Sequence, residues 1–292
     1  MEELRFLSDY KETDSYRRSF SDLAMKVFGI NFEEWYEKGF WDDSYVCYSF
    51  FDRGEIAANV SASKLDIVME GQKISAVQIG TVMTAPEFRN KGLAATLLNK
   101  VLEKYESIAD IIYLFANESV LTFYPKFGFN MVRENSYSLR LDVSNSASPL
   151  RKLEPGSRED MEMIGRLYEK KALLSRKIDV EQAKGILLFH CLHTFRDSMY
   201  YSSQENAVLI YKIEGEKLHI YDVICTRKML FHEVIGNIPC ENIREIIFHF
   251  TPDFPDMKPS SRVKQAENDV LFVKNINTYL PRFFRLPVTS HA

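Results

Sequence analysis

No apolar run in the 292 residues approaches the ~18 that a membrane-spanning helix needs. The first ten residues have neither the basic start nor the apolar stretch of a signal peptide. Cysteine is scarce: Cys47, Cys191, Cys225 and Cys240 share no metal-type spacing, and they read as free buried thiols of a reducing cytoplasm. Neither sign of charge dominates. Lys and Arg number 37 against 41 Asp and Glu, a net charge of −4, which leaves no electrostatic footprint for DNA, RNA or an anionic membrane. What remains is an ordinary globular composition, 46% hydrophobic and 27% charged, long enough for one large or two ordinary domains.

Periodicity divides the chain. In 10–38, Phe20, Leu23, Ala24, Val27 and Phe28 recur at three- and four-residue steps, the buried face of a helix. From 45 to 83 the pattern is that of three antiparallel strands, at 45–51, 56–69 and 74–83, turned at Asp52, Arg53 and Gly54 and at Glu70, Gly71 and Gln72. A helix is expected at 91–105, a strand at 111–115, a helix at 119–126 and more strand at 131–143. Strand, helix, strand implies a right-handed crossover and a parallel pair. The small, polar stretch 144–149, ending in Pro149, is the expected domain boundary. Beyond it comes a second α/β unit, with helices at 160–171 and 229–235, a hairpin of 207–213 with 218–225, and strands at 246–250 and 270–273.

Chemistry concentrates where the third strand hands over to the helix, at Arg89, Asn90, Lys91, Gly92, Leu93 and Ala94. The first N–H groups of a helix have no internal acceptor, and the helix dipole adds partial positive charge there. A glycine lets a phosphate approach the backbone, so this junction is a candidate anion site. Its spacing, Arg-x-x-Gly-x-Ala, resembles the pyrophosphate loop of the GNAT superfamily of N-acetyltransferases. A second element follows in order, Asn117, Phe123, Tyr124, Lys126, Gly128 and Phe129, and is similar to that family's second cofactor segment.

The resemblance implies an α/β (α+β) fold and acetyl-CoA as co-substrate, with no metal. It places the pantetheine arm against Val82, Met83 and Thr84, the pyrophosphate on Arg89, Asn90, Lys91, Gly92, Leu93 and Ala94, and Asn117 on the cofactor's leaving end. A backbone N–H near Val82 or Met83 would polarise the thioester carbonyl. Tyr124 would be the acid that protonates the thiolate. Histone-type members carry a glutamate base where this chain has Gln78, which cannot accept the proton; Asp42, Asp43, Asp66 and Glu118 are unranked alternatives. The aromatic segment 32–51 borders the acceptor pocket in the family, so Trp35, Trp41, Tyr45 and Gln78 are candidate acceptor contacts, although most of these aromatics read as core.

The second unit echoes the order of the first. The stretch Thr226, Arg227, Lys228, Met229, Leu230, where a phosphate loop would fall, has no glycine. The expected architecture is therefore two GNAT-like domains, each a mixed, mostly antiparallel sheet flanked by helices: a catalytic one at 1–145 and a degenerate one at 150–292 that holds no CoA. This tandem layout is distantly similar to the bacterial enhanced-intracellular-survival acetyltransferases, without the length for their third domain. The carboxylate those enzymes use as a base is not carried over to Ala292. His190 with His193, and His232 with Glu233, fall short of metal motifs, the latter because Gly236 stands where a second histidine is needed. The expected reaction is transfer of acetyl to a primary amine of a small molecule (amino acid, polyamine or amino sugar) or peptide. A non-catalytic acyl-CoA sensor with the second domain as partner surface is the alternative, and homo-oligomerisation is left open.

Overall fold

The computed structural model describes residues 4–141, 150–265, 269–274 and 279–292; the expected boundary at 144–149 lies outside them. In chain order the first half contains β1 (Arg5–Ser8), α1 (Asp14–Phe28), α2 (Glu33–Glu37), β2 (Tyr45–Asp52), β3 (Glu55–Met69), β4 (Gln72–Thr84), α3 (Leu93–Tyr105), β5 (Ile111–Ala116), β6 (Asn130–Val132) and β7 (Asn135–Arg140). The second contains β8 (Arg151–Lys152), α4 (Arg158–Glu169), β9 (Ile178–Glu181), α5 (Lys184–Leu192), β10 (Met199–Ser202), β11 (Ala207–Glu214), β12 (Lys217–Cys225), α6 (Phe231–Ile235), β13 (Glu245–Phe248), β14 (Ser260–Val263) and β15 (Val270–Lys274).

Two sheets form, and apart from β9 their strands correspond one to one. The first runs β1-β2-β3-β4-β5-β15-β6, with β9 extending the far end of β3; the second, read from its other edge, runs β8-β10-β11-β12-β13-β7-β14. In each sheet one central pair is parallel, β4 with β5 and β12 with β13. The fold is thus mixed α/β with two sheets of the same design. The expected strand at 131–143 is corrected: it breaks into β6, on the first sheet, and β7, which crosses to the second and pairs with β13. In return β15, read in sequence as part of the second unit, lies in the first sheet between β5 and β6. Each sheet is completed by a strand from the other half.

Packing follows from this exchange. One core joins the halves: Tyr45, Cys47, Ile67, Tyr113 and Leu271 from the first sheet meet Ile164, Leu188, Val208 and Ile210. The opposite face of the first sheet (Val77, Ile79, Ile112, Leu114, Phe272) packs on Leu97, Leu98 and Val101 of α3. The opposite face of the second (Leu209, Ile220, Ile246, Phe248) packs on α6 through Phe231 and Val234. The interface also contains a buried ion pair, Lys171 Nζ to Asp179 Oδ1 at 3.0 Å. Asp222, fully buried nearby, accepts from the Val223 N–H at 2.8 Å and from the Thr289 hydroxyl. Burial pushes the Asp222 carboxyl up, and Lys171 opposes that shift.

Candidate active site

The site begins as a defect in the sheet. Strands β4 and β5 are paired from Ala76 with Ile111 to Ile79 with Leu114, and no pairing between them follows. Past that point β5 bonds only to β15. On its other side β4 carries a bulge opposite Asn59 to Ser61. Thr81 takes a positive φ of 46° there, a conformation that costs a β-branched residue strain. Two side chains hold it: Asn59 Nδ2 donates to the Thr81 carbonyl at 2.9 Å, and the Tyr45 hydroxyl lies 2.6 Å from Thr81 Oγ1. The result is a wedge with main chain exposed along one wall.

A cavity of about 520 Å3 fills the wedge. Its walls include Gly80, Thr81, Val82, Met83, Thr84, Ala94, Ala116, Asn117 and Tyr124. At the mouth of α3 the chain turns through Asn90 (φ 62°) and Gly92 (φ 76°), both left-handed. A Cβ on Gly92 would meet nothing within 4 Å, so the space outside this turn is open. The main-chain N–H groups from Asn90 to Ala94 have no acceptor among the described residues, and no side chain caps the helix. The Arg89 and Lys91 side chains are exposed beside them, Arg89 Nε at 3.4 Å from the Thr84 carbonyl and Lys91 Nζ over the Phe88 ring at 4.8 Å.

The expected helix at 119–126 is corrected to two 3-10 turns, Glu118–Val120 and Tyr124–Phe127. Pro125 has no N–H to continue a helix. Asn117 Oδ1 caps the first turn, accepting from the Ser119 N–H at 3.1 Å, which leaves the Asn117 amide nitrogen as the donor available to the cavity. The Tyr124 ring is clasped by Phe123, Phe129 and Phe272, and its hydroxyl has no hydrogen bond among the described residues. Burial pushes that phenol up to about 12, so it holds its proton across the working pH range.

The acceptor-side candidates are placed differently. Trp35 is 1% exposed and its indole N–H donates to the Gly185 carbonyl at 2.9 Å; Trp41 is 4% exposed and donates to the Tyr45 carbonyl at 3.0 Å. Neither they nor Tyr45 line the cavity; Phe28, Ile30 and Phe32 do. Gln78 is fully buried beneath its floor. Of the acids considered, Asp42 bonds Ser44, Asp43 pairs with Lys11, Asp66 pairs with Lys73, and Glu118 is exposed on a turn; none lines the cavity. Among the cavity residues that the sequence reading did not assign to the site are Asp269 and Ala292. No local signal marks them: β15 and the 288–292 segment reach the wedge only through long-range pairing. His190, instead of ligating metal, bonds the His291 carbonyl at 2.7 Å, and no group of three or more His, Cys, Asp or Glu side chains among the described residues is gathered for a metal ion.

A splayed parallel pair, a bulged strand, an uncapped helix start and a buried tyrosine are thus brought together at one end of the first sheet. Residues 11–132 match the family described as acetyltransferase (GNAT) domain. Residues 11–132 are therefore the part of the chain similar to a GNAT acetyltransferase domain, which supports an acyltransferase. The chain's full two-sheet fold is similar to a probable N-acyltransferase from Enterococcus faecalis, at 16% identity and a TM-score of 0.63, over 94% of this chain and 72% of that one. It is also similar to Eis1 from Mycobacterium abscessus, at 14% identity and 0.58, over 92% and 72%. A third likeness is to a GCN5-related N-acetyltransferase from Anabaena variabilis, at 16% identity and 0.59, over 94% and 73%. No curated protein matches the chain by sequence. No helix among the described residues is long and apolar enough to cross a membrane.

Proposed function

We propose that the chain transfers an acetyl group from acetyl-CoA to the primary amine of a small molecule, with all the chemistry on the first half. The observation that carries this is one cavity that reaches from Tyr124 to Ala94 at the start of α3, beside the open left-handed turn at Gly92. The free N–H groups from Asn90 to Ala94 receive the pyrophosphate, with charge from Arg89 and Lys91. The pantetheine arm adds to the exposed edge of β4 at Val82 to Thr84, and Asn117 donates to it. A β4 N–H at Val82 or Met83 polarises the thioester carbonyl.

The amine attacks the thioester carbon, and the resulting thiolate takes the Tyr124 proton. The amine enters between Phe28, Ile30 and Phe32, an apolar approach that suits a ligand with a hydrocarbon body. Asp269 is the carboxylate on the cavity wall and attracts the ammonium form, which gives one proton to water before attack and a second after it; water returns a proton to the Tyr124 phenolate. The second half holds no CoA and serves to complete the acceptor side. Four buried free thiols fit a reducing compartment, the cytoplasm. A thiol-release assay over a panel of amino acids, polyamines, amino sugars and peptides tests the reading. Turnover of at least one amine is expected. Acetyl-CoA binding without turnover of any would favour the sensor.

A further inference from the structure

The 288–292 segment, far from the wedge in sequence, is bound to it at several points. Gln78, 0% exposed on β4, uses both ends of its amide. Its Nε2 donates to the Ser290 carbonyl at 2.7 Å and to the Tyr113 hydroxyl at 3.1 Å, and its Oε1 accepts from the Ala292 N–H at 2.7 Å. The His291 ring stacks on Phe115 of β5, centroids 3.5 Å apart. From the other half, His190 Nε2 donates to the His291 carbonyl at 2.7 Å, a tautomer that leaves Nδ1 to accept from Thr194 Oγ1 at 3.1 Å. The backbone of Ala292 then lies on Gly80: a Cβ there would stand 2.8 Å from the Ala292 carbonyl carbon and 2.9 Å from its oxygen. Gly80 has no positive φ, so its lack of a side chain serves this close approach alone.

We infer that Gln78 is a positioning residue: it holds the backbone of 290–292 against Gly80 as the amine-side wall of the cavity. Only a primary amide fits. It must present two donors and one acceptor to partners that are themselves buried or main-chain, and an unmet buried partner is costly. A glutamate base at this position would face the Ser290 carbonyl with a like partial charge. The histone-type arrangement and the seated segment are therefore alternatives for one side chain. Ala292 lies on Gly80, ahead of the Val82–Thr84 edge assigned to the cofactor arm, and shares the cavity with Phe32, so we assign this wall to the amine.

The inference rests on the transfer reading, and its test separates the two. In the full-length protein, Gln78→Met keeps the volume and removes the bonds; Gly80→Ala leaves Gln78 intact and displaces Ala292 directly. Both variants should raise hydrogen exchange in the 286–292 peptide while β4, β5 and α3 stay protected. Acetyl-CoA affinity should stay within about twofold. On the best amine of the panel, kcat/KM should fall at least tenfold, mostly through KM. Gln78→Glu, whose desolvated carboxyl is held protonated and keeps one donor and one acceptor, should retain more activity than Gln78→Met near pH 6.5 and lose that advantage as pH rises. A purely packing role predicts the reverse order, Met above Glu. That order, or exchange rising equally across the first sheet, or a freed 286–292 peptide with unaltered amine kinetics, would overturn the inference. The exchange measurement reads the clamp even in a protein that acetylates nothing, so failure of the transfer reading is visible separately.

Discussion

The two halves share a sheet design and differ at one helix start. In the first, α3 opens after a glycine turn, and its leading N–H groups face open space. In the second, the equivalent start of α6 is already filled. Asp256 accepts from the Phe231 and His232 N–H groups at 2.7 and 3.0 Å, and Glu233 accepts from the Leu230 N–H at 2.7 Å. Although burial opposes it, these N–H groups and the His232 ring draw the Asp256 carboxyl down to about 2. Arg227, the basic residue ahead of this helix, is committed to Glu205 and Glu233. The helix itself is 5 residues against 13. The second half carries its own carboxylates where the first leaves room for an external anion.

The comparison breaks most severely if the halves are cut apart. Residues 1–149 lack β15, which leaves β5 and β6 without their shared neighbour, and they lack α4 and α5, which cover the joint core. Such a fragment should fail to fold and should aggregate, checked by circular dichroism and sedimentation. A soluble, cooperatively melting fragment would show the halves to be independent.

Within the first half, Tyr124→Phe keeps the ring and its aromatic contacts and removes only the proton donor. Acetyl-CoA affinity should hold, and kcat should fall about 10²–10⁴-fold, equivalent to roughly 3–5 kcal/mol of barrier. Because the phenol is pushed up to about 12, it stays protonated through any practical pH. The wild-type rate should therefore rise as the amine loses its proton and show no fall on the basic side to about pH 10. A fall beginning near pH 8 would point to a different acid.

The joint between halves gives a smaller effect. Thr289→Val removes the hydroxyl that Asp222 accepts and leaves that buried carboxylate a partner short. A loss of about 1–3 kcal/mol is expected in denaturant melts. A response to acid is expected at the same joint. Burial and nearby cations hold His291 well below its usual range and His249 at about 2, and burial lowers His190. Below the unfolded value of about 6.5 the unfolded chain binds more protons than the folded one, so stability should decline as pH falls through that window. A melting temperature constant from pH 7 to 5 would deny those rings their buried, neutral state.

Much of the first half was legible because its signals are local. The glycine turn, the run of Leu97, Leu98 and Val101 that buries α3, and the Asn117 to Phe129 pattern all lie within short windows. The strand exchange was not legible. Asn135–Arg140 and Val270–Lys274 read as strands, but nothing in a strand's own alternation names its neighbour. The acceptor side failed for the same reason. Trp35 and Trp41 were conspicuous by size, which is also what makes them core, whereas Asp269 and Ala292 reach the cavity by tertiary routes. Gln78 could be read as a missing base, but its partners stand 212 and 214 residues away.

The central claim is the asymmetry of the two helix starts, and calorimetric titration with acetyl-CoA addresses it most directly. The wild-type chain should bind one equivalent. Gly92→Glu places a carboxylate in the open turn, so affinity should drop about a hundredfold, roughly 3 kcal/mol. Stability should fall only by about 1–2 kcal/mol, the cost of a side chain at a φ of 76°. Two equivalents per chain, or unchanged affinity in the variant, would contradict the account.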